Sequence, residues 1–245
     1  MRANGEDLPP VYAVKNEHGR SPYVLVCEHA SNFLPAAYAK LGLSDSELER
    51  HIAWDIGASR VAELLSRRLD APVVLSRYSR LLIDLNRPPE SATSIPEISE
   101  MTVVPGNAGL SAAERAHRIA TYFTPFQDRL AALLDARLQA GKPTVLLAIH
   151  SFTPTFIGVA RPWHAGILFR RSVAFGTALA HALGGEAANI AENAPYNIED
   201  DGDYTIPVHG EARGLDAVLI EIRQDLIGAE AGAAQWAARL AEALP

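Results

Sequence analysis

Short uninterrupted apolar runs alternate along this chain with longer segments whose apolar residues recur at helical spacing. Such runs are typical of strands buried on both faces of a sheet, and the longer segments are typical of helices that cover it. We predict strands at residues 23–27, 72–76, 81–85, 144–149, 156–160, 166–169 and 217–222. Strands that alternate with helices predict an α/β fold, a three-layer α/β/α sandwich with a mostly parallel or mixed sheet.

Capping signals mark where two of the helices begin. Ser44 with Glu47, and Ser111 with Glu114, have the spacing of a capping box, in which each side chain bonds the other residue's backbone N–H. We predict helices at residues 44–69, 111–140 and 173–183, and a final helix in the Ala-rich C-terminal segment.

The remaining segments are polar and are predicted to be loops or a surface arm. Residues 88–109 and 184–214 are long and rich in turn-forming residues, and loops of this length are often functional. Residues 1–21 are predicted to form an N-terminal arm. Residues 22–245 are predicted to form a single domain, because the chain is long enough for one sizeable core.

Composition narrows the classes of partner. The formal net charge is -7 and the pI is near 5.6, which argues against nucleic acid and favours a small-molecule partner. Cys27 is the only cysteine, and the first residues lack the apolar core of a signal peptide. No apolar run approaches the roughly 20 residues that span a bilayer. We therefore expect a cytoplasmic protein with no membrane contact.

Three polar residues stand where predicted strands break off. His29 follows the first strand, His150 follows V-L-L-A-I, and Glu221 interrupts A-V-L-I-E-I. Because an α/β sheet gathers the carboxyl ends of its strands into one crevice, two imidazoles and a carboxylate would meet there. The first hypothesis is a hydrolytic zinc site with an open coordination position. Each histidine taken alone is more often a hydrogen-bonded structural residue.

A catalytic zinc ion takes three protein ligands, so a further donor is needed. Asp55 is the first choice, because its apolar surroundings in H-I-A-W-D-I-G-A make an ionised group costly unless it is paired or bound to a cation. The ordinary alternative is a salt bridge with Arg50 or Arg60. Glu28 and His51 are rival ligands, and the spacing does not choose among them.

Glu221 has two interpretations. It could pair with Arg223, two positions further along the same predicted strand and therefore on the same side. Alternatively, it could act as a general base toward a zinc-bound water and then as an acid toward the leaving amine. Burial favours the second role, because it raises the pKa of a carboxyl group toward neutrality.

Further polar residues could bind a substrate. Arg80, Asn86 and Arg87 in S-R-L-L-I-D-L-N-R-P suit a bidentate grip on a carboxylate, and one arginine could polarise a carbonyl. An arginine at a strand end is usually only solvated, but the density of polar groups here favours a site. Tyr196 and His209 lie in the polar loop before the Glu221 strand, where they could contact substrate or merely decorate the loop.

Taken together, these segments resemble the N-formylglutamate amidohydrolase family from about residue 23 to residue 227. The matching pieces are E-H-A-S-N-F-L-P, W-D-I-G-A, S-R-L-L-I-D-L-N-R-P, I-H-S and H-G-E-A-R-G-L-D-A-V-L-I-E-I-R-Q-D-L. That family is similar in turn to zinc carboxypeptidases and aspartoacylases. The resemblance implies a phosphorylase/hydrolase-like α/β/α fold, one catalytic domain, and zinc-dependent cleavage of an N-acyl amide such as that of N-formyl-L-glutamate.

Residue by residue, the resemblance implies the metal ligands His29, Asp55 and His150, the catalytic residues Glu221 and Arg80, and the carboxylate-binding residues Asn86 and Arg87. The chain departs from the carboxypeptidase pattern, which has Glu three residues after its first histidine where this chain has Asn32. It also has E-H-A-S in place of proline-histidine-serine-glycine, which indicates a divergent branch.

Two other functions are compatible with these residues. One is a deacylase or carboxypeptidase-like hydrolase of another N-acyl amino acid or short peptide, with zinc or another divalent metal. The other is a non-catalytic metal- or carboxylate-binding domain. Retention of Glu221 with every proposed ligand argues against the non-catalytic alternative.

Overall fold

A seven-stranded mixed sheet runs through the computed structural model, which describes residues 8–199 and 202–245. The strands are β1 (Tyr12–Lys15), β2 (Tyr23–Cys27), β3 (Val73–Ser76), β4 (Ile98–Ser99), β5 (Thr102–Val103), β6 (Val145–Phe152), β7 (Thr155–Phe156), β8 (Val159–Ala160), β9 (Ala165–Leu168), β10 (Ile190–Glu192) and β11 (Asp216–Arg223). The sheet order is β1-β3-β2-β6-β11-β9-β10. Its centre, β3-β2-β6-β11, is parallel, whereas β1 and β9 each run antiparallel to a neighbour. The pairs β4-β5 and β7-β8 form separate hairpins.

Helices cover both faces of this sheet. They are α1 (Asp45–Leu48), α2 (Ala58–Leu69), α3 (Ala112–Arg118), α4 (Thr124–Gln139), α5 (Val173–Ala182) and α6 (Glu230–Ala243). Helices α2, α5 and α6 bury apolar residues against one face, and α4 buries Phe126 and Leu130 against the other. The predicted three-layer architecture is confirmed. None of the helices in the described ranges is both long and apolar enough to cross a bilayer.

Successive residues of the central strands point to opposite faces. In β2, Leu25 joins the α2/α6 side of the core and Val24 joins the α4 side, as alternation in a strand requires. The same alternation in β6 and β11 means that both faces are apolar over most of their length. Any polar residue in these strands therefore stands out as one that the fold does not need for packing.

The predicted helix over residues 44–69 is wrong in its middle. The chain forms α1 and α2 with an irregular break at residues 49–57, so Asp55 does not lie on a helix. Gly57 ends the break with φ +82°, and a Cβ there would lie 2.3 Å from the carbonyl oxygen of Ile227. The break kept a helix-like apolar pattern because Ile52 and Ala53 are also buried.

Other predicted boundaries also differ. Residues 81–85 form turns rather than a strand. They are apolar because Leu81 is buried with Leu41 and Val104, and Leu82 is buried in the core on the α4 side of the sheet. Strand β6 extends to Phe152, so His150 lies within it rather than after it. The two predicted long loops contain the β4-β5 hairpin and the edge strand β10. The helix over residues 111–140 is confirmed, apart from a π-helical turn at Ile119–Phe123.

The predicted N-terminal arm contributes to the sheet. Its strand β1 pairs antiparallel with β3, with Tyr12 opposite Ser76, at one edge. The arm's first seven residues lie outside the described part of the chain. The segment is thus an edge strand as well as a surface feature.

Candidate functional site

One face of the sheet carries a row of three buried polar residues across adjacent strands. Glu28 follows β2, His150 lies near the end of β6, and Glu221 lies near the end of β11. Each continues the alternation that places the preceding apolar residues of its strand on the α4 side. His150 and Glu221 are register partners, and Glu28 Oε2 lies 3.0 Å from His150 Nε2. The carboxyl ends of three strands therefore converge on one polar centre.

Loops complete this centre with His29 and Asp55. His29 follows β2, and its carbonyl oxygen accepts a 2.9 Å hydrogen bond from the backbone N–H of Asp55. Asp55 Oδ2 lies 3.3 Å from His29 Nδ1 and 2.8 Å from His150 Nδ1. One donor atom from each of the three residues lies within 4.8 Å of the others. The irregular segment between α1 and α2 therefore places the Asp55 carboxylate between the two imidazoles.

The outer nitrogen of each imidazole also faces a carboxylate. His29 Nε2 lies 2.7 Å from Asp84 Oδ1, and His150 Nε2 lies 3.0 Å from Glu28 Oε2. A neutral imidazole has one N–H, so it cannot donate to carboxylates on both sides. Each ring therefore needs one positive charge at its inner nitrogen, either an added proton or a metal ion.

This donor set fits a divalent cation. A divalent ion held by His29 and His150 would supply the same two positive charges as two imidazolium protons, and Asp84 and Glu28 contact the outer nitrogens of these rings. Two imidazoles and one carboxylate are also a common ligand set of catalytic zinc. The chemistry of His29, Asp55 and His150 thus matches the predicted ion.

The rival ligands occupy other positions. Glu28 contacts the outer nitrogen of His150, away from Asp55. His51 Nε2 lies 3.7 Å from a carboxylate oxygen of Glu100. Within the described ranges, the only group of three or more potential ligands is His29, Asp55 and His150.

Electrostatics holds Asp55 ionised. Burial by itself would raise the pKa of Asp55, but His29 and His150 hold it well below its usual range. Burial would likewise lower the pKa of His150, but Glu28 and Asp55 hold it well above its ordinary value. Arg80 adds positive charge, since its guanidinium donates to Asp84 Oδ2 at 2.6 Å and to Asp55 Oδ1 at 3.4 Å.

Glu221 differs from the other buried carboxylates. Its side chain is nearly buried, and Oε2 accepts no hydrogen bond within the described part of the chain. Burial raises the pKa of Glu221 to about 7, although the charge of His150 acts in the opposite direction. The alternative pairing with Arg223 is not formed, because Arg223 turns to Asp225 at 2.8 Å. Glu221 is thus a carboxyl group that can take and release a proton near neutral pH.

A cavity of about 510 Å³ opens onto this centre. The predicted site residues that line it are His29, Asp55, Arg80, Asn86, Arg87, His150, Tyr196 and Glu221. His209 is not among the described lining residues. It is buried with Nε2 2.8 Å from Gln127 Oε1, and burial lowers its pKa to about 4. The structure therefore gives His209 a packing environment rather than a place in the cavity.

Asn86 and Arg87 both line the cavity, but they differ in how many hydrogen bonds they form with the protein. Asn86 is largely used by the fold, since Oδ1 accepts from the N–H groups of Tyr204 and Thr205 and Nδ2 donates to Asp203 at 3.1 Å. Arg87 approaches its nearest carboxylates only to 3.9 Å and donates no hydrogen bond to the described residues. Its guanidinium is thus available for an anion.

Sequence reasoning did not assign roles to Asp84 or Arg161. Asp84 lies in the D-L-N-R segment, but nothing in the sequence shows that its carboxylate contacts the outer nitrogen of His29. Arg161 donates to the Tyr196 hydroxyl at 2.8 Å and thereby fixes that side chain at the cavity. Glu28 could have been placed behind His150, because it follows the period-two alternation of β2.

Comparison with known proteins shows which family and which solved structures this chain is similar to. The family model of N-formylglutamate amidohydrolase matches residues 21–228. A gene product of Agrobacterium tumefaciens of solved structure is 40% identical, with a TM-score of 0.92, and the match covers 96% of this chain and 93% of that chain. An N-formylglutamate amidohydrolase from Ralstonia eutropha is 18% identical, with a TM-score of 0.71 and 96% of both chains covered, which shows a shared fold. No curated protein matches.

Proposed function

The chain belongs to the N-formylglutamate amidohydrolase family and is a hydrolase of amide bonds, and from this premise we propose a metal-dependent reaction. The proposed substrate is N-formyl-L-glutamate or a similar N-acyl amino acid, and the products are formate, or another small acid, and a free amino acid. Residues 22–245 would form the catalytic domain. The observation that carries the proposal is the convergence of His29, Asp55 and His150 beside Glu221, whose Oε2 accepts no hydrogen bond from the described residues.

Zinc is the proposed ion, and His29, Asp55 and His150 would hold it. When bound, it would polarise the scissile carbonyl and increase the acidity of a water molecule. Zinc is proposed over other divalent ions because two imidazoles and one carboxylate suit its catalytic sites and leave a coordination position for the reactants.

Glu221 is proposed to move the proton. Its carboxylate would accept a proton from the attacking water and then donate it to the nitrogen of the departing amine. Two features support this role: Glu221 lines the cavity, and its pKa of about 7 lets one group serve as base and then as acid at neutral pH.

The two arginines are proposed to act on different parts of the substrate. Arg80 lines the cavity beside Asp55 and would stabilise negative charge that develops on the acyl oxygen. Arg87 would bind the substrate's α-carboxylate through its guanidinium. Asn86 would assist with the second hydrogen of Nδ2 while its other contacts hold the loop at residues 203–205.

Formate release from N-formyl-L-glutamate tests the proposal. Purified protein should release formate and free glutamate, lose that activity on treatment with a chelator, and recover it when zinc is added back. Arg87→Met should raise KM by roughly 10- to 100-fold, because a charged hydrogen-bonded pair is lost. Arg68→Met on the exposed end of α2 is the control and should leave KM unchanged. Full activity in the chelated protein would contradict the proposal.

A second candidate is deacylation of a larger N-acyl amino acid. The size of the cavity favours it, because about 510 Å³ falls in the range of sites that enclose drug-sized ligands. The machinery would be the same, and only the part of the cavity remote from His29 and His150 would choose between the two substrates.

A further inference from the structure

Two hairpins with apolar surfaces border the cavity. Ile98 of β4-β5 and Phe156 of β7-β8 both line it. Six of the ten exposed large apolar residues of the described chain belong to these hairpins or to the adjacent cavity wall, namely Ile98, Met101, Val103, Ile157, Val159 and Tyr196. Exposed apolar groups gathered at one place mark a binding surface. Of these six residues, Ile98 and Tyr196 line the reaction cavity itself, as does the partly buried Phe156.

The wall beside the second hairpin is held in position. The guanidinium carbon of Arg161 lies 4.5 Å from the centre of the Phe156 ring and 4.8 Å from that of Tyr196. Arg161 also donates to the Tyr196 hydroxyl. Stacking and the hydrogen bond together fix two aromatic rings of the cavity before any ligand arrives, which lowers the cost of binding against them.

Charge in the outer cavity is mainly negative. Glu100, Glu199 and Asp203 line it. Glu100 pairs with Arg50, whereas Glu199 is exposed and forms no ion pair with the described residues. Arg87 can bind one anionic group, and Arg80 already donates to Asp84 and Asp55. A second carboxylate on the substrate would therefore meet these acids. The cavity therefore matches a substrate with one carboxylate.

We propose that the preferred substrate is an N-acyl amino acid with a single carboxylate and a large apolar group that lies against the two hairpins. The inference rests on the proposed function and specifies its substrate class. The apolar group is either the amino-acid side chain or the acyl chain. N-formyl-L-glutamate remains a substrate, but a poorer one.

Substrate competition tests this inference with the zinc-loaded protein. N-formyl-L-leucine and N-formyl-L-phenylalanine carry the apolar group on the side chain, and N-hexanoylglycine carries it on the acyl chain. At least one should exceed N-formyl-L-glutamate in kcat/KM by about tenfold, the usual scale of discrimination by an apolar pocket. The compound with the higher kcat/KM shows whether the apolar group is the amino-acid side chain or the acyl chain. A higher kcat/KM for N-formyl-L-glutamate than for all three would overturn the inference.

Substitutions at the cavity test which residues cause the preference for an apolar substrate. Ile98→Ser should lower the ratio of apolar to glutamate kcat/KM by about fivefold, because apolar contact area is lost. Val173→Ser is the matched control: Val173 is 55% exposed on α5, compared with 62% for Ile98, and its change should leave the ratio unaltered. Glu199→Gln should raise kcat/KM for N-formyl-L-glutamate by about twofold, since repulsion from an exposed charge is weak. An unchanged ratio in Ile98→Ser would also overturn the inference.

Two further measurements keep the inference distinct from the proposed function. If no N-acyl amino acid is hydrolysed, the proposed function fails, and calorimetric binding of N-formyl-L-leucine and N-formyl-L-glutamate to the same protein decides the inference. Tighter binding of the leucine compound supports it; tighter binding of the glutamate compound, or no binding of either, overturns it. The apolar surface of the two hairpins could instead be covered by a second copy of this chain, and sedimentation tests this alternative. A wild-type dimer that dissociates in the Ile98→Ser variant would overturn the inference.

Discussion

Asp55 and Glu221 are buried carboxyl groups of the same cavity with opposite acid strengths. Their exposed fractions are similar, 3% for Asp55 and 7% for Glu221. Asp55 is surrounded by two imidazoles, Arg80 and the backbone N–H of Ser151, and its pKa lies far below the usual range. Glu221 Oε2 has no such donor within the described ranges, and burial raises its pKa to about 7.

Hydrogen-bond donors and nearby positive charge, rather than burial, therefore separate the roles of Asp55 and Glu221. Desolvation acts on both groups in the same direction, so only the surrounding positive charge and N–H groups distinguish them. Asp55 stays ionised and suits a metal ligand, whereas Glu221 exchanges a proton near neutral pH and suits a general base.

The largest expected effect is the loss of Asp55 as a ligand. Asp55→Asn keeps the shape of the side chain but removes its charge, so zinc binding should weaken strongly and kcat/KM should fall by roughly three orders of magnitude. Metal analysis together with formate release checks this. Asp216→Asn, at the exposed start of β11, is the control and should alter neither quantity. Normal metal content and normal kcat/KM in Asp55→Asn would contradict the assignment.

Glu221→Gln should separate chemistry from metal binding. The amide cannot take a proton from water, so kcat should fall by about 100- to 10,000-fold while zinc content stays normal. Glu242→Gln, on the exposed side of α6, is the matched control. Loss of zinc in Glu221→Gln would place this residue among the ligands and erase its contrast with Asp55.

A smaller effect is expected behind the ligands, at Glu28. Glu28→Gln removes the charge that faces the outer nitrogen of His150, and such a change typically costs about 10- to 100-fold in metal affinity. Competition with a chromophoric chelator measures the zinc Kd of the variant. Glu186→Gln, which lies far along the chain in an exposed turn, supplies the control. An unchanged Kd would show that Glu28 contributes packing alone.

The smallest effect concerns stability, and its sign follows from the raised pKa of Glu221. A carboxyl group whose pKa is raised on folding favours the folded state below its unfolded pKa, and this contribution is lost as pH rises through about 7. In metal-free protein, Glu221→Gln should therefore be more stable than wild type at pH 8, by about 1 to 3 kcal/mol. The difference should vanish near pH 4.

Urea unfolding of both metal-free proteins at the two pH values provides the free energies of unfolding. Effects of pH on all other groups are common to both proteins and cancel in the comparison. A variant less stable than wild type at pH 8 would show that the ionised form of Glu221 is stabilised in the folded protein.

Much of the site could be predicted from the sequence, because its residues interrupt strong apolar patterns. His150 and Glu221 are polar residues in otherwise buried strands, and His29 follows another such strand. Burial of these strands on both faces makes each exception conspicuous. The same reasoning predicted the layers of the fold, which depend on periodicity alone.

The rest depended on tertiary contacts that no local pattern encodes. The break at residues 49–57 retained a helix-like pattern because its apolar residues are buried by other elements. The apolar residues 81–85 predicted a strand for the same reason: they form turns, but Leu82 and Leu85 are buried in the core on the α4 side of the sheet. The position of His209 in a polar loop left substrate contact open, but in the fold its ring contacts Gln127 instead.

The proposed site depends on two imidazoles and Asp55 closing around one divalent ion. The most direct test is the zinc content of purified protein, compared with that of the double variant His29→Ala/His150→Ala after its fold has been verified by circular dichroism. We predict about one zinc per wild-type chain and almost none in the variant. Equal zinc content in the two proteins, or none in the wild type loaded with zinc, would contradict the account.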